Sequence, residues 1–443
     1  MSRATKPVSR RRVLTGASAA ALGGVLAPVL SACGGTKADG NTFRIQQYEA
    51  KDSAQYKGWE KALKIFTQRH PELDVQIVQT SFDNMQKNAK IQLMARDVPD
   101  VVEVNKGNAD AGQLAAQGLI LDLSEEASAQ GWDKKVEGSM ANLATYTTLG
   151  IAGDGGHWYG VPNIGEYVQI YYNTSMFADA GIDGVPDSMD DLTSIFDTFV
   201  AKGQAPLSSS ANTNGGWGAM WTWYSLVSAL AGTDEIEDYM FLRGESDLST
   251  GAWKRGSDLF QDWIEAGYLG SRLSGLTADQ AQVSFVGQKF PMLLSNSGAY
   301  STIDAQADFE WDSFIVPDAH MTMGSSGHLW AVPSSSAHPD LAYEWIDITL
   351  SEEVQNEMGR LGGLPLAGDS SVIENDKLRA FAETFDELKT DKMSYYPDYP
   401  VPGLTPELQS GMQAMTNGTK NADEFLASLQ KYYDDGKTSL LTE

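Results

Sequence analysis

The chain has 443 residues, with 32 basic against 59 acidic side chains and a formal net charge of −27, which excludes a nucleic-acid binder because a phosphate backbone needs a basic face. Hydrophobic residues make up 42%, ordinary for a globular protein, and the length suits two or three domains. Cys33 is the one cysteine, so no internal disulfide can form and the core must hold by packing.

In chain order, the first segment reads as a targeting signal. Arg3, Lys6, Arg10, Arg11 and Arg12 precede an apolar, small-residue run over 13–30, and no acidic residue occurs before Asp39. A charged start, an apolar middle and small residues at the cut mark a secretory signal. Ser9-Arg10-Arg11-Arg12-Val13-Leu14 fits the twin-arginine export pattern, with Thr15 where that pattern prefers lysine. Leu30-Ser31-Ala32-Cys33 resembles a bacterial lipobox, which implies cleavage before Cys33 and a diacylglyceryl thioether on its sulfur. Residues 1–32 are expected as signal peptide and 33–41 as a lipidated N-terminus and flexible tether. The protein is then held at the outer side of the cell membrane by lipid, without spanning it. Two plainer readings stay open. The segment could be an uncleaved anchor, although Gly16, Gly23, Gly24, Pro28 and a short apolar core count against it. The cysteine could also be a buried spectator.

Residues 42–48 alternate and read as a strand. Apolar positions at 59, 62, 63, 65 and 66 predict a helix over 56–70, stopped by Pro71. A strand over 75–78, a helix over 82–94, a short strand over 99–104 and a helix over 110–117 follow. Strands and helices alternating at this spacing predict an α/β fold with a largely parallel sheet. A β-rich stretch over 158–173 comes next, then helices around 191–202 and 251–267. Strands are expected at 291–294 and 314–317, and an amphipathic helix at 341–350. No internal repeat is present.

Four stretches then carry a family resemblance. They are "KALKIFTQRHPELDVQIVQTSFDNMQKNAKIQLMARDVPDVVEV" (61–104), "GHWYGVPNIGEYVQIYYNTSMFADAGI" (156–182), "FVGQKFPMLLSNSGAY" (285–300) and "HLWAVPSSSAHPDLAYEWIDITLSEEVQNEMGRLGGLPL" (328–366). In this order, the set resembles the extracellular solute-binding proteins of ABC importers, in the carbohydrate group that includes maltose-binding protein. The resemblance implies two α/β lobes with a ligand cleft between them and several hinge crossings (the type II periplasmic-binding-protein fold). It places lobe 1 at 42–162 plus 331–361 and lobe 2 at 163–330 plus 362–443, with crossings near Pro162, Leu329 and Gly362. It also implies a monomer that performs no chemistry, needs no cofactor or metal, and passes its ligand to a membrane permease. Pro291 and Tyr300 depart from the family pattern, so the sugar cannot be carried across.

Sugars offer hydroxyls, which need carboxylates and amides, and flat C–H faces, which need aromatic platforms. Clefts in such folds lie at the C-terminal ends of strands. Tyr48 and Glu49 follow the first strand and Asn105 and Lys106 the third, although each pair could be a solvated turn. Glu166 matches a family carboxylate, with Asn163 beside it. "GGWGAMWTWYS" brings Trp217, Trp221 and Trp223 within seven residues. Trp221 and Trp223 are expected at the ligand, but two positions apart they do not share a helix face, and a core cluster is the alternative. Asn296, Gly298 and Tyr300 occupy a loop that the family uses for ligand. His328 and Gly363 lie at crossings. Tyr395, Tyr396 and Tyr399 form an aromatic loop, with Tyr399 expected to close one end of the cleft; packing on lobe 2 is the alternative.

A secreted carbohydrate-active hydrolase with paired carboxylates is the rival class. No G-x-S-x-G, H-E-x-x-H or P-loop motif occurs. His70, His157, His320, His328 and His338 show no metal-ligand spacing.

Overall fold

The computed structural model describes residues 41–136, 138–153 and 155–442. The signal segment, Cys33 and nearly all of the tether lie outside the described residues.

Five strands form the first sheet, in the order β2-β1-β3-β12-β6. β1 (Thr42–Gln47) and β2 (Asp74–Gln79) pair in parallel over their full lengths, from Thr42 opposite Asp74 to Gln47 opposite Gln79. β3 (Val101–Val104), wholly buried, lies parallel on the other side of β1. Parallel neighbours need a crossover, and helix Ala54–Arg69 supplies the first one. Ser53 caps that helix, its hydroxyl accepting from Tyr56 N at 3.1 Å. Trp59, Ala62 and Phe66, three and four residues apart, turn one stripe onto the sheet. β12 (Leu329–Ala331) then joins antiparallel to β3, and β6 (Val161–Pro162) antiparallel to β12. Trp330 packs between Trp59 and Trp345, with ring centroids 5.3 and 5.7 Å away.

The second sheet runs β10-β7-β9-β8, with β11 also on β7. Its centre, β7 (Gly165–Asn173), is buried on both faces except at Glu166, which is half-buried. β9 (Met292–Asn296), β10 (Trp311–Phe314) and β11 (Gly324–Ser326) are all antiparallel to β7, and β8 (Leu207–Ser208) is parallel to β9. The largely parallel sheet expected from the sequence is therefore found in β1, β2 and β3, and beyond them, among the described strands, only the two-residue β8 pairs in parallel. The long strand β7 enters directly from the first sheet, and the returning segments pair against it from the opposite direction. The strand expected at 314–317 lies three residues earlier, where Trp311–Phe314 finds Asn173–Ile170 as its partner.

The chain passes between the sheets at β6 to β7 and at β11 to β12. Gln355, fully buried after helix Pro339–Thr349, fixes a third passage. Its Nε2 donates to the carbonyls of Asn163 and Thr349 (3.1 and 2.8 Å), and its Oε1 accepts from Leu366 N at 2.8 Å. Gly165 N donates to Leu364 O at 2.8 Å. A Cβ on Gly165 would sit 1.9 Å from the Phe385 ring, so only glycine fits there.

Four helices follow residue 350, at Glu352–Arg360, Asp376–Leu388, Leu404–Thr416 and Ala422–Thr442. The last two pack around helix Trp217–Leu230. Of its fourteen residues, only Trp217, Trp221 and Leu230 escape full burial. Helix Gly251–Glu265 approaches closely because Gly256 leaves room for the backbone of Val227, 2.7 Å from where a Cβ would stand. No helix among the described residues is long and apolar enough to cross a membrane.

Candidate functional site

A cavity of about 330 Å3 opens between the two sheets. Tyr48 and Glu49 reach it from the end of β1, and Asn105 and Lys106 from the end of β3. Ile164, Glu166 and His328 come from the crossings. Trp217 and Trp221 enter from the start of their helix, Asn296 to Gly298 from the end of β9, and Tyr396, Asp398 and Tyr399 from a C-terminal loop.

The first-sheet wall is held by polar partners. Lys106, 1% exposed, places Nζ 2.7 Å from Glu166 Oε1 and 5.5 Å from the centre of the Tyr399 ring. Asn105 Nδ2 donates to Asp110 Oδ2 at 2.5 Å, and Gln86 Nε2 donates to the same oxygen at 3.2 Å. Burial nevertheless lifts the Asp110 carboxyl to about 6. Glu103, behind the wall, accepts from Tyr48 N at 3.0 Å and from Asn163 Nδ2 at 2.8 Å. Its burial, with Glu49 nearby, pushes it well above the usual carboxylate range. Glu49 is raised to about 7, chiefly by burial and further by Glu166, against the lowering influence of Tyr48 and Lys106. The Tyr48 hydroxyl is hydrogen-bonded to His328 Nδ1, and the rings meet edge to face at 4.4 Å. Burial, helped by Lys106, holds His328 well below its ordinary value and so uncharged.

The opposite wall is aromatic. Trp217 and Trp221, one helical turn apart, lie nearly parallel at 17°, with ring centres 6.4 Å apart. Phe82, from helix Phe82–Leu93 of the first sheet, meets the edge of Trp217 at 6.5 Å across the cleft. Tyr396 and Tyr399 add a further pair of rings 5.7 Å apart. The Tyr396 hydroxyl is buried, faces Glu166 and Asn296, and has no protein partner in hydrogen-bond geometry.

The profile of the bacterial extracellular solute-binding protein family matches residues 50–356. The chain belongs to this family. Its "Multiple sugar-binding protein" relative from Streptococcus mutans serotype c is 21% identical over 356 residues, covering 78% of this chain and 80% of the relative. A solved "Chitin oligosaccharide binding protein" superposes with a TM-score of 0.74 at 21% identity, over 90% of this chain and 99% of that one. A probable secreted solute-binding lipoprotein from Streptomyces coelicolor gives 0.71 at 16% identity, over 90% and 100%. The two-lobed fold expected from the sequence is thus shared with these structures. Membership puts the chain among extracellular binding proteins and sets the hydrolase reading aside.

Within this solute-binding fold, Tyr48, Glu49, Asn105, Glu166, Trp221, Asn296, Gly298, His328 and Tyr399 all line the cavity. Four other residues expected at the ligand do not. Trp223 is fully buried, donates Nε1 to Ser257 Oγ at 2.8 Å and packs on Trp253 and Phe425. Asn163 is fully buried behind the wall, where its Nδ2 donates to Glu103 and its main-chain carbonyl accepts from Gln355. Tyr300 lies in the second lobe's core, its ring 5.0 Å from Trp311 and 4.7 Å from Phe381. Gly363 faces Ile164, the Met358 carbonyl and Ala54. Tyr395, next to the lining tyrosines, takes a left-handed φ of 63° that turns its side chain into the core, where its hydroxyl accepts from Asn142 Nδ2 at 2.9 Å.

Sequence reasoning missed Phe82 and Asp398 and did not choose Trp217. The i, i+4 relation to Trp221 was the available signal for Trp217. Asp398, between the two lining tyrosines, accepts from Thr405 Oγ1 at 2.8 Å and is raised by burial. Among the described residues, no cluster of His, Cys, Asp and Glu is placed to hold a metal ion.

Proposed function

We propose that this protein captures a carbohydrate, either a mono- or oligosaccharide or a related polyol, between its lobes and delivers it to the membrane subunits of an ABC importer. The observation that carries the reading is the cleft itself. Stacked tryptophan faces stand opposite carboxylates and amides whose positions are fixed by hydrogen bonds, the two surfaces a sugar needs. The sugar ligands in the names of the two relatives support it. The moving bodies are 42–162 with the segment up to 361, and the stretch from 163 with 362–443. We set the second crossing at 327–328, slightly before the boundary at 331 expected from the sequence, because Leu329–Ala331 pairs with β3. Ligand closes the lobes in proportion to its preference for the closed form. A lipid on Cys33, added after export by the twin-arginine or general route, keeps the receptor beside its permease.

Thermal unfolding of the protein across mono-, di- and oligosaccharides and polyols tests this. A ligand at 100 times its dissociation constant adds about 2.7 kcal/mol of stability. An upward shift with one group of sugars is expected. A flat panel would reject the carbohydrate class, and cleavage of a stabilising glycan would reject the binding role.

A further inference from the structure

The cleft is unbalanced in charge. Glu49, Glu166 and Asp398 line it against one cation, Lys106, which is already paired with Glu166 at 2.7 Å. Among the described residues no ion pair reaches Glu49 or Asp398. Asp279, exposed at the rim, adds a further negative charge, and the remaining base, His328, is kept neutral by burial. Independently, the buried Tyr396 hydroxyl lies near Glu166 and Asn296 but meets neither in hydrogen-bond geometry. The rings around these groups, those of Trp217, Trp221 and Tyr399, present faces that attract cations. A neutral sugar could hydrogen-bond to the carboxyls, but closing the lobes over it costs either the protonation of Glu49 and Asp398, which burial already favours, or uncompensated charge. An ammonium group removes that cost and makes charge-assisted hydrogen bonds. The chain's net charge of −27 also draws cations toward the mouth.

We infer that the ligand is a carbohydrate bearing a protonated amine, held by Glu49 and Asp398 against the tryptophan platform. This rests on the carbohydrate reading above. The test is titration calorimetry of the full chain with matched sets of sugars. Each set holds an amino sugar, its N-acetyl derivative and its neutral parent, in gluco, galacto and manno series, as mono- and disaccharides. In the series that binds, the amine should bind at least tenfold tighter than both partners. Glu49→Gln, confirmed as folded by its melt, should shrink that gap to under threefold; Asp398→Asn serves if Glu49→Gln does not fold. A neutral or N-acetyl sugar binding as tightly as its amine overturns this inference and leaves the carbohydrate reading standing. So does a gap that both folded variants retain. Silence across the whole panel overturns the carbohydrate reading, and this inference with it.

Discussion

The wall of the cleft built from the first sheet consists of polar side chains at strand ends, each oriented by a partner: Asn105 by Asp110, Lys106 by Glu166, Tyr48 by His328. The facing wall consists of rings, and their support is packing on one helix and one loop. The polar wall suits selection, because a site built to pair hydroxyls or an amine penalises ligands that leave it unpaired. The aromatic wall suits affinity, because stacking tolerates many ring substituents. The same helix shows how narrow the division is. Trp221 lines the cleft, while Trp223, two residues on, is core.

That last contrast gives the largest expected effect. Trp223→Ala should cost about 3–5 kcal/mol of stability, as large core truncations do, with affinity per folded molecule changed less than twofold. Denaturant unfolding and binding on the same samples would show it, and loss of affinity at unchanged stability would put Trp223 back at the ligand.

Next comes the polar wall. The Glu49 carboxyl, raised to about 7 from an ordinary 4.5, and Asp110, raised to about 6, hold protons in the folded state that the unfolded chain releases. Their contribution is full below the unfolded values and is lost as pH rises through the folded ones. Stability of the unliganded protein should therefore fall between about pH 4.5 and pH 8, at up to about 1.4 kcal/mol per pH unit per group. Glu49→Gln should flatten that slope and raise stability at pH 8 by on the order of 2 kcal/mol. An unchanged pH profile in the variant would mean that burial does not govern Glu49.

The smallest effect belongs to the aromatic wall. Trp221→Ala should weaken binding by about 1.5 kcal/mol, roughly tenfold, with little change in the melt. A large drop in stability instead would show that Trp221 is structural and that Trp217 alone is the platform.

The polar wall was the more legible one. Alternation over 42–48 ends where Tyr48 and Glu49 emerge, and the apolar run over 101–104 ends at Asn105 and Lys106. Strand ends are local features, and the rule that clefts lie at them did the rest. The aromatic wall resisted because helix Trp217–Leu230 carries no charged residue and buries its hydroxyls, Thr222, Ser225 and Ser228, so no polar face marks which side meets solvent. Its burial comes from helices Gly251–Glu265 and Leu404–Thr416, which lie far along the chain. Phe82 was hidden for a similar reason, since its place at the cavity comes from rings distant in the chain, Tyr48, His328 and Trp217. Asp398 sits in a loop whose course depends on the left-handed turn at Tyr395.

From the sequence alone came the alternation of strands and helices in the first lobe, the positions at its strand ends, the acidic balance and the ordered motifs of the family. Each depends on neighbours within about ten residues or on composition. Only the tertiary structure decided that β7 would be met by antiparallel partners, which tryptophan faces the cleft, that Asn163 is tied behind the wall by hydrogen bonds and that Tyr300 is spent on packing. It also brought Tyr48, Glu166, His328 and Tyr399 around one cavity. Those outcomes depend on segments up to some 350 residues apart competing for the same buried space, and periodicity along the chain carries no record of that competition.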